Sequence, residues 1–486
     1  MFDLLIKNGK LVTAEEEFFG DVGIRDGKIL AVGAPGTLSS AEQTVDADGL
    51  LVLPGLVDPH AHFGHRVHLD HGWVSALDDF ATGTAFAAAG GTTTVIDFAV
   101  QRESDLISTI QERRTETEGQ SVIDFSLHPV LTSTSTETVD ELPQLIALGF
   151  PTFKLYMLYR SQGRMGDDAL LLAALEASAR GNGMTIVHAE NAAMMEFNTQ
   201  SLVANAATTA ADFARTKPNI AEAEAINRAL FLAEQTGASI YIFHTSTRQG
   251  VELIRRARER GVAAYAETCP HYLTLTEESL QRPDGHRFLC SPPLRTTEDS
   301  DALWRALADG VIQVVSSDHC GYGTEVKDLG RTDFRRGANG LPGAGLRLQL
   351  IHSQGVLKGR LNLSEMVGLL STNPARLFGL WPMKGTISQG SDADLVLFDP
   401  TIRRVVRAAE LDTPVDWSPY EGMELTGWPV MTLSRGEIVA LDGKCVATPG
   451  RGKLVQRWSS GAAAMTTGSA ATTAVETTEE KEKGHL

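Results

Sequence analysis

The sequence predicts an α/β protein: a (β/α)8 TIM-like barrel carrying a small β-sandwich domain built from both chain ends. Three observations predict it. Eight short apolar runs lie between residues 55 and 384, with helical stretches falling between them. Hairpin-type sequence occurs near both ends of the chain. No glycine fingerprint for a dinucleotide follows the first strand, which argues against an open nucleotide-binding sheet.

Residues 1–54 read as the N-terminal part of the small β domain. Phe2-Asp3-Leu4-Leu5-Ile6 leads into an expected turn at Lys7-Asn8-Gly9-Lys10, and Val22 to Arg25 and Lys28 to Val32 flank the hairpin signal Asp26-Gly27. The same kind of sequence returns in residues 385–458: Ala393 to Phe398, Val430 to Leu433 before Arg435-Gly436, and Ile438 to Ala440. Either half alone would leave one apolar sheet face exposed, so the two are expected to pair.

Residues 55–384 read as the catalytic barrel. Its strands are the apolar run Leu50 to Val57 leading to His60 and His62, then Thr93 to Phe98, Val122 to Leu127, Thr152 to Met157, Met184 to His188, Ser239 to His244, Val262 to Glu267 and Ile312 to Ser317. Helices are expected over Asp79 to Ala89, Ile220 to Glu234 and Arg248 to Arg260, with Gly90-Gly91 as a helix stop. Residues 459–486, rich in Ala, Thr, Ser and Glu, are expected to be a disordered tail.

Composition narrows the function. With 43 basic against 61 acidic residues, the formal charge of −18 argues against nucleic acid or an anionic membrane as partner. No basic leader with an apolar core opens the sequence and no apolar run is long enough to span a bilayer. Cys269, Cys290, Cys320 and Cys445 lack metal-site spacing and read as reduced thiols of a cytoplasmic protein.

The chemistry is expected where barrel strands end. His60 and His62 sit two apart and can face one ion from one side of a strand. His188, His244 and Asp318 each close a later apolar run, and Lys154 lies inside another. Imidazoles and a carboxylate suit zinc. A protonated lysine repels a metal and can serve only once its charge is removed.

These residues carry a resemblance. Asp58-Pro59-His60-Ala61-His62, Thr152-Phe153-Lys154-Leu155-Tyr156-Met157 and Ser317-Asp318-His319-Cys320 resemble the hydantoinase/dihydropyrimidinase family, cyclic amidases of the amidohydrolase superfamily. The likeness covers nearly the whole chain before the tail. It implies two divalent metal ions, zinc by family likeness, with N6-carboxylated Lys154 bridging them. His60, His62 and Asp318 would hold one ion, and His188 and His244 the other. Asp318 would also shuttle the proton, and Tyr159 would steady the oxyanion. Ser291, within Cys290 to Arg295, and Asn339, within Asn339 to Gly343, match segments whose main chain binds the substrate. The implied substrate is a small cyclic amide or imide, opened to an N-carbamoyl amino acid, and the implied assembly is a homotetramer or homodimer.

Two departures bear on substrate. The loop Phe63 to Trp73 is rich in histidine (His65, His68, His71), and Ala344-Gly345 stands where close relatives carry an acidic pair. His128, His271 and His319 are candidates for supporting or structural roles. Allantoinase is the main alternative. Dihydroorotase is disfavoured because Gly64 occupies the position of its carboxylate-clamping arginine, although Arg66 is near. A non-catalytic dihydropyrimidinase-related scaffold would have lost ligands that this chain keeps. A single-metal deaminase would lack the bridging lysine.

Overall fold

A computed structural model describes residues 1–69, 72–101, 105–132 and 136–458. The expected tail at 459–486 and His71 lie outside the described residues. Eight parallel strands curl into one sheet in sequence order: Leu56–Asp58, Thr92–Val100, Asp124–Leu131, Thr152–Tyr156, Met184–His188, Ile240–Ile242, Ala264–Thr268 and Val314–Val315. They are barrel strands one to eight. Each is buried almost throughout, as expected of parallel strands covered on both faces.

The helices form where their caps predict. Phe80–Ala89 starts at Asp79, whose carboxylate accepts from Thr82 N–H at 2.8 Å, and ends at Gly90. Asn219–Thr236 ends at left-handed Gly237, and Arg248–Glu259 is capped by the Thr247 hydroxyl, which accepts from Gly250 N–H at 3.0 Å.

Among the described residues no backbone ladder joins strands one and eight. Arg347, fully buried, closes that seam. Its guanidinium donates to the carbonyls of Val315 at 2.9 Å and Val57 at 3.3 Å, and to Thr92 Oγ1 at 3.1 Å. Beyond the strand ends, Ala61–His62 pairs in parallel with His319–Cys320 and completes the closure.

The second sheet is a nine-stranded mixed network made from both chain ends. Its two halves meet where Leu395–Val405 runs antiparallel to Leu51–Pro54, with Leu395 opposite Pro54 and Leu397 opposite Val52. The sheet closes on its own apolar cluster, which includes Ile6, Val22, Ile24, Val52, Leu395 and Leu433. Buried Lys384 clamps it to the barrel, reaching Asp124 of strand three at 2.6 Å, Asp394 at 2.8 Å and Asp392 at 2.9 Å. Residues 451–458 leave this sheet and return to the barrel, where Arg457 donates to the Leu127 carbonyl at 2.7 Å and Thr152 Oγ1 at 2.8 Å.

Three local expectations are corrected. The run Leu50 to Val57 is two strands, split at Gly55, where a side chain would overlap Thr93 and the chain changes sheets. The expected turn at Lys7 to Lys10 is instead a bulge within one strand, Phe2–Val12, made possible by Asn8 at φ 61°. His60 and His62 do not share one strand: strand one stops at Asp58, and His62 belongs to the short closing pair. Their side chains converge nonetheless.

Candidate metal centre and active site

The seam of the barrel assembles the first cluster. Asp318 N–H donates to the His60 carbonyl at 2.9 Å, fixing the end of strand eight to the end of strand one. His60 Nε2, His62 Nε2 and Asp318 Oδ1 then face one another: 3.2 Å between the two imidazoles, and 3.0 and 3.4 Å from His60 and His62 to the carboxylate. All three ligand atoms lie within 4.8 Å of one another, so the group can hold a metal ion. His60 Nδ1 meets buried Glu267 at 2.5 Å. That contact places the ring proton on Nδ1 and leaves the Nε2 lone pair pointing inward.

Across the pocket, His188 Nδ1 and His244 Nε2 are 3.0 Å apart. Glu190 engages His188 Nε2 at 2.9 Å and so assigns the proton there, turning the Nδ1 lone pair toward His244. Lys154 Nζ lies between the rings of Phe98 at 4.0 Å, Tyr156 at 4.7 Å and Phe243 at 4.8 Å. The residue is 1 % exposed, and no hydrogen bond or ion pair reaches its amine among the described residues. Two pairs of facing imidazoles, a carboxylate and an uncompensated buried amine line a single pocket. Within it, the His60, His62 and Asp318 donors fit a cation.

Burial drives the charge pattern. It pushes His62 and His244 well below the ordinary histidine range and His188 down to about 4. Burial alone would lower His60 as well, but the carboxylates of Asp318 and Glu267 raise it. Burial opposes ionisation of Asp318, yet His60 and the other imidazoles hold it well below the usual carboxylate range. Neutral imidazoles and an ionised carboxylate are the ligating forms.

Tyr159, Ser291 and Asn339 line the same pocket. Tyr159 has φ 64°, His244 φ 35° and Asp318 φ 45°, so three pocket residues are non-glycine side chains in the sparsely populated left-handed region. Backbone strain of this kind concentrates at functional sites. Ser291 Oγ donates to Glu190 at 2.7 Å and is also met by Lys217, so its hydroxyl is built into the wall. Asn339 Oδ1 is buried without a hydrogen-bond partner among the described residues.

The other histidines separate cleanly. His128 is held by Thr152 Oγ1 at 2.7 Å and the Pro59 carbonyl at 3.0 Å. His319 bonds Asp78 at 2.8 Å and accepts from Gly343 N–H at 3.0 Å, which places both in supporting positions. His271 packs on Tyr272, with its Nε2 unpartnered among the described residues. His65 lines the pocket beside His62, whereas His68 meets Trp73 edge to face in an outer hairpin.

Sequence reasoning missed four buried groups: Glu267, Glu190, Lys217 and Lys327. Glu190 carried a signal, standing two residues after His188, and Glu267 ended an apolar run. Lys327 carried none. Its ammonium donates to the carbonyls of Leu289 at 2.9 Å, Ala338 at 2.8 Å and Gly340 at 2.9 Å, tying together the loops that hold Ser291 and Asn339.

A TIM-like barrel with imidazoles and a carboxylate gathered at its strand ends defines a metal-site hydrolase architecture. Comparison with known proteins makes the class particular. The Amidohydrolase family model matches residues 51–439. A D-hydantoinase of Ralstonia pickettii is 41 % identical over 94 % of this chain and 99 % of its own. The crystal structure of dihydropyrimidinase from Brevibacillus agri superposes with a TM-score of 0.90 at 37 % identity, covering 94 % of this chain and 98 % of that one. A solved D-hydantoinase gives 0.90 at 41 %, covering 94 % and 99 %. The chain belongs to the hydantoinase/dihydropyrimidinase family of the amidohydrolase superfamily, and it is an enzyme.

Proposed function

We propose that this enzyme opens the ring of a hydantoin or dihydropyrimidine by hydrolysing a cyclic amide bond, releasing an N-carbamoyl amino acid. The observation that carries the reading is the convergence of both histidine pairs, Asp318 and the buried Lys154 amine in one pocket with Tyr159 at its wall. His60, His62 and Asp318 would hold one divalent ion, His188 and His244 a second, and N6-carboxylated Lys154 would bridge them, zinc suiting the set. Such ions supply hydroxide at neutral pH and polarise an amide carbonyl.

The chain's own residues do the rest. Asp318 accepts the proton of the attacking water and returns it to the ring nitrogen as the C–N bond breaks, so that nitrogen leaves as a neutral amine or amide. Burial raises the Tyr159 hydroxyl above the ordinary phenol range, so it remains a donor and is suited to the oxyanion that develops on the carbonyl oxygen. Main-chain groups at Ser291 and Asn339 orient the ring, and Lys327 holds the two loops in register.

Boundaries at 54/55 and 384/385 are supported by the sheet change at Gly55 and the clamp at Lys384. Four unpaired thiols support a cytoplasmic setting, and no helix among the described residues is long and apolar enough to cross a membrane. Exposed Phe197, Ile220 and Phe231 on the outer helices support assembly into a homodimer or homotetramer.

Ring opening of hydantoin, dihydrouracil, allantoin and dihydroorotate by metal-loaded and chelated protein tests the reading. Metal-dependent opening of hydantoin or dihydrouracil is expected. Opening of allantoin or dihydroorotate alone overturns it.

A further inference from the structure

The loop after barrel strand four delivers a second side chain besides Tyr159. Tyr159 at φ 64° and Gly163 at φ 66° are both left-handed, and Arg164 N–H returns to the Tyr159 carbonyl at 3.2 Å. Gly166 N–H then closes onto the Tyr156 carbonyl at 2.9 Å. This reversal folds the chain back on itself, so Arg164 lines the same pocket as Tyr159.

Arg164 also lines a second cavity of about 420 Å³ that adjoins the metal pocket. The two share His62, His65, Gln162 and Arg164 as a common wall. Among the described residues, three arginines line the cavity, and two of them are engaged. Arg113 pairs with Asp97 at 2.9 Å and Glu116 at 3.1 Å and donates to the Phe63 carbonyl at 2.9 Å. Arg66 lies over the Trp73 ring at 5.6 Å. The half-buried side chain of Arg164 has no hydrogen bond or ion pair among the described residues. The acid left over, Glu112, is exposed on the outer helix Leu106–Thr117.

We propose that this outer cavity is a subsite for a ring substituent bearing a carboxylate, with Arg164 as its anion-binding group. The inference rests on the ring-opening reading and names the substrate class within it. A ring held at the metal pocket by main-chain groups projects its substituent through the shared wall, where Arg164 offers a planar set of donors that no described residue meets. A neutral substituent of the same shape leaves those donors without a charged acceptor.

The test uses 5-(2-carboxyethyl)hydantoin and its isosteric amide, 5-(2-carbamoylethyl)hydantoin, with full-length metal-loaded protein. The wild type should favour the acid in kcat/KM by about tenfold or more. The ratio should fall toward one in Arg164→Gln, be partly kept in Arg164→Lys, and shrink with added salt. A wild-type ratio near one, or an unchanged ratio in Arg164→Gln, overturns the subsite. Calorimetric binding of both compounds separates this failure from failure of the underlying reading. Equal affinities overturn the subsite whatever the turnover. Acid-selective binding lost in Arg164→Gln, without ring opening, keeps the subsite and overturns the ring-opening reading alone.

Discussion

Replacing Lys327 by methionine keeps the length of the stem and deletes the ammonium. Three carbonyls, from Leu289, Ala338 and Gly340, then lose their shared donor inside a region where Lys327 is fully buried. The Leu289 carbonyl keeps its bond from Gly340 N–H at 3.0 Å, so two buried carbonyls are left unpaired; at about 1–3 kcal/mol each and not fully additive, the loss should be about 2–5 kcal/mol. The consequence for the site is specific. Residues 289–291 and 338–340 are the two loops expected to orient the ring, and this side chain ties them together beside the direct bond from Gly340 N–H to the Leu289 carbonyl. Denaturant unfolding of the metal-loaded protein should show a lowered midpoint. Steady-state kinetics should show KM raised about tenfold or more, a loss near 1.4 kcal/mol of ring binding, with bound metal at the wild-type level. Arginine should not rescue it, because a planar fork cannot meet three carbonyls converging on one point. A Lys327→Met protein with wild-type midpoint and KM would refute the reasoning.

Two further outcomes follow from the same geometry. Glu267→Gln keeps the shape around His60 Nδ1 but removes the carboxylate charge, so metal affinity measured by chelator competition should fall ~10- to 100-fold; unchanged affinity would show that the Glu267 charge does not strengthen His60 as a ligand. Asp328 is depressed below its ordinary value first by the Arg287 hydrogen bond, against some burial, with His286 and Arg331 adding to it. A folded-state value below the unfolded one gives stability that is present above about pH 4 and lost as pH falls through the folded value. The stability gap between wild type and Asp328→Asn should therefore be full at neutral pH and narrow steadily in acid. A gap independent of pH would contradict this.

The barrel was legible because parallel strands buried on both faces read as short apolar runs, and all eight runs became strands. Ligand-type side chains at the ends of those runs were legible for the same reason. The sequence spacing of His60 and His62 suggested a shared face, and the rings do converge, but through a strand end and a separate two-residue pairing. The strand Ala41–Asp46 was missed because its residues are largely exposed and polar, and pairing with Phe2–Val12 supplies what propensity does not. Arg347 at the barrel seam and Lys327 between two loops were invisible. Each acts on backbone carbonyls brought near by the fold, and no local pattern marks such a partner.

In the proposed reaction two metal ions, bridged through Lys154, open a cyclic amide. The most direct measurement is hydantoin turnover by chelated protein as zinc is returned stepwise in bicarbonate buffer, with metal content determined at each step, for wild type and Lys154→Ala. Activity in the wild type should rise to a plateau at two ions per chain. Lys154→Ala should remain inactive and hold fewer than two. Full activity at one ion per chain, or an active Lys154→Ala protein, would contradict the claim.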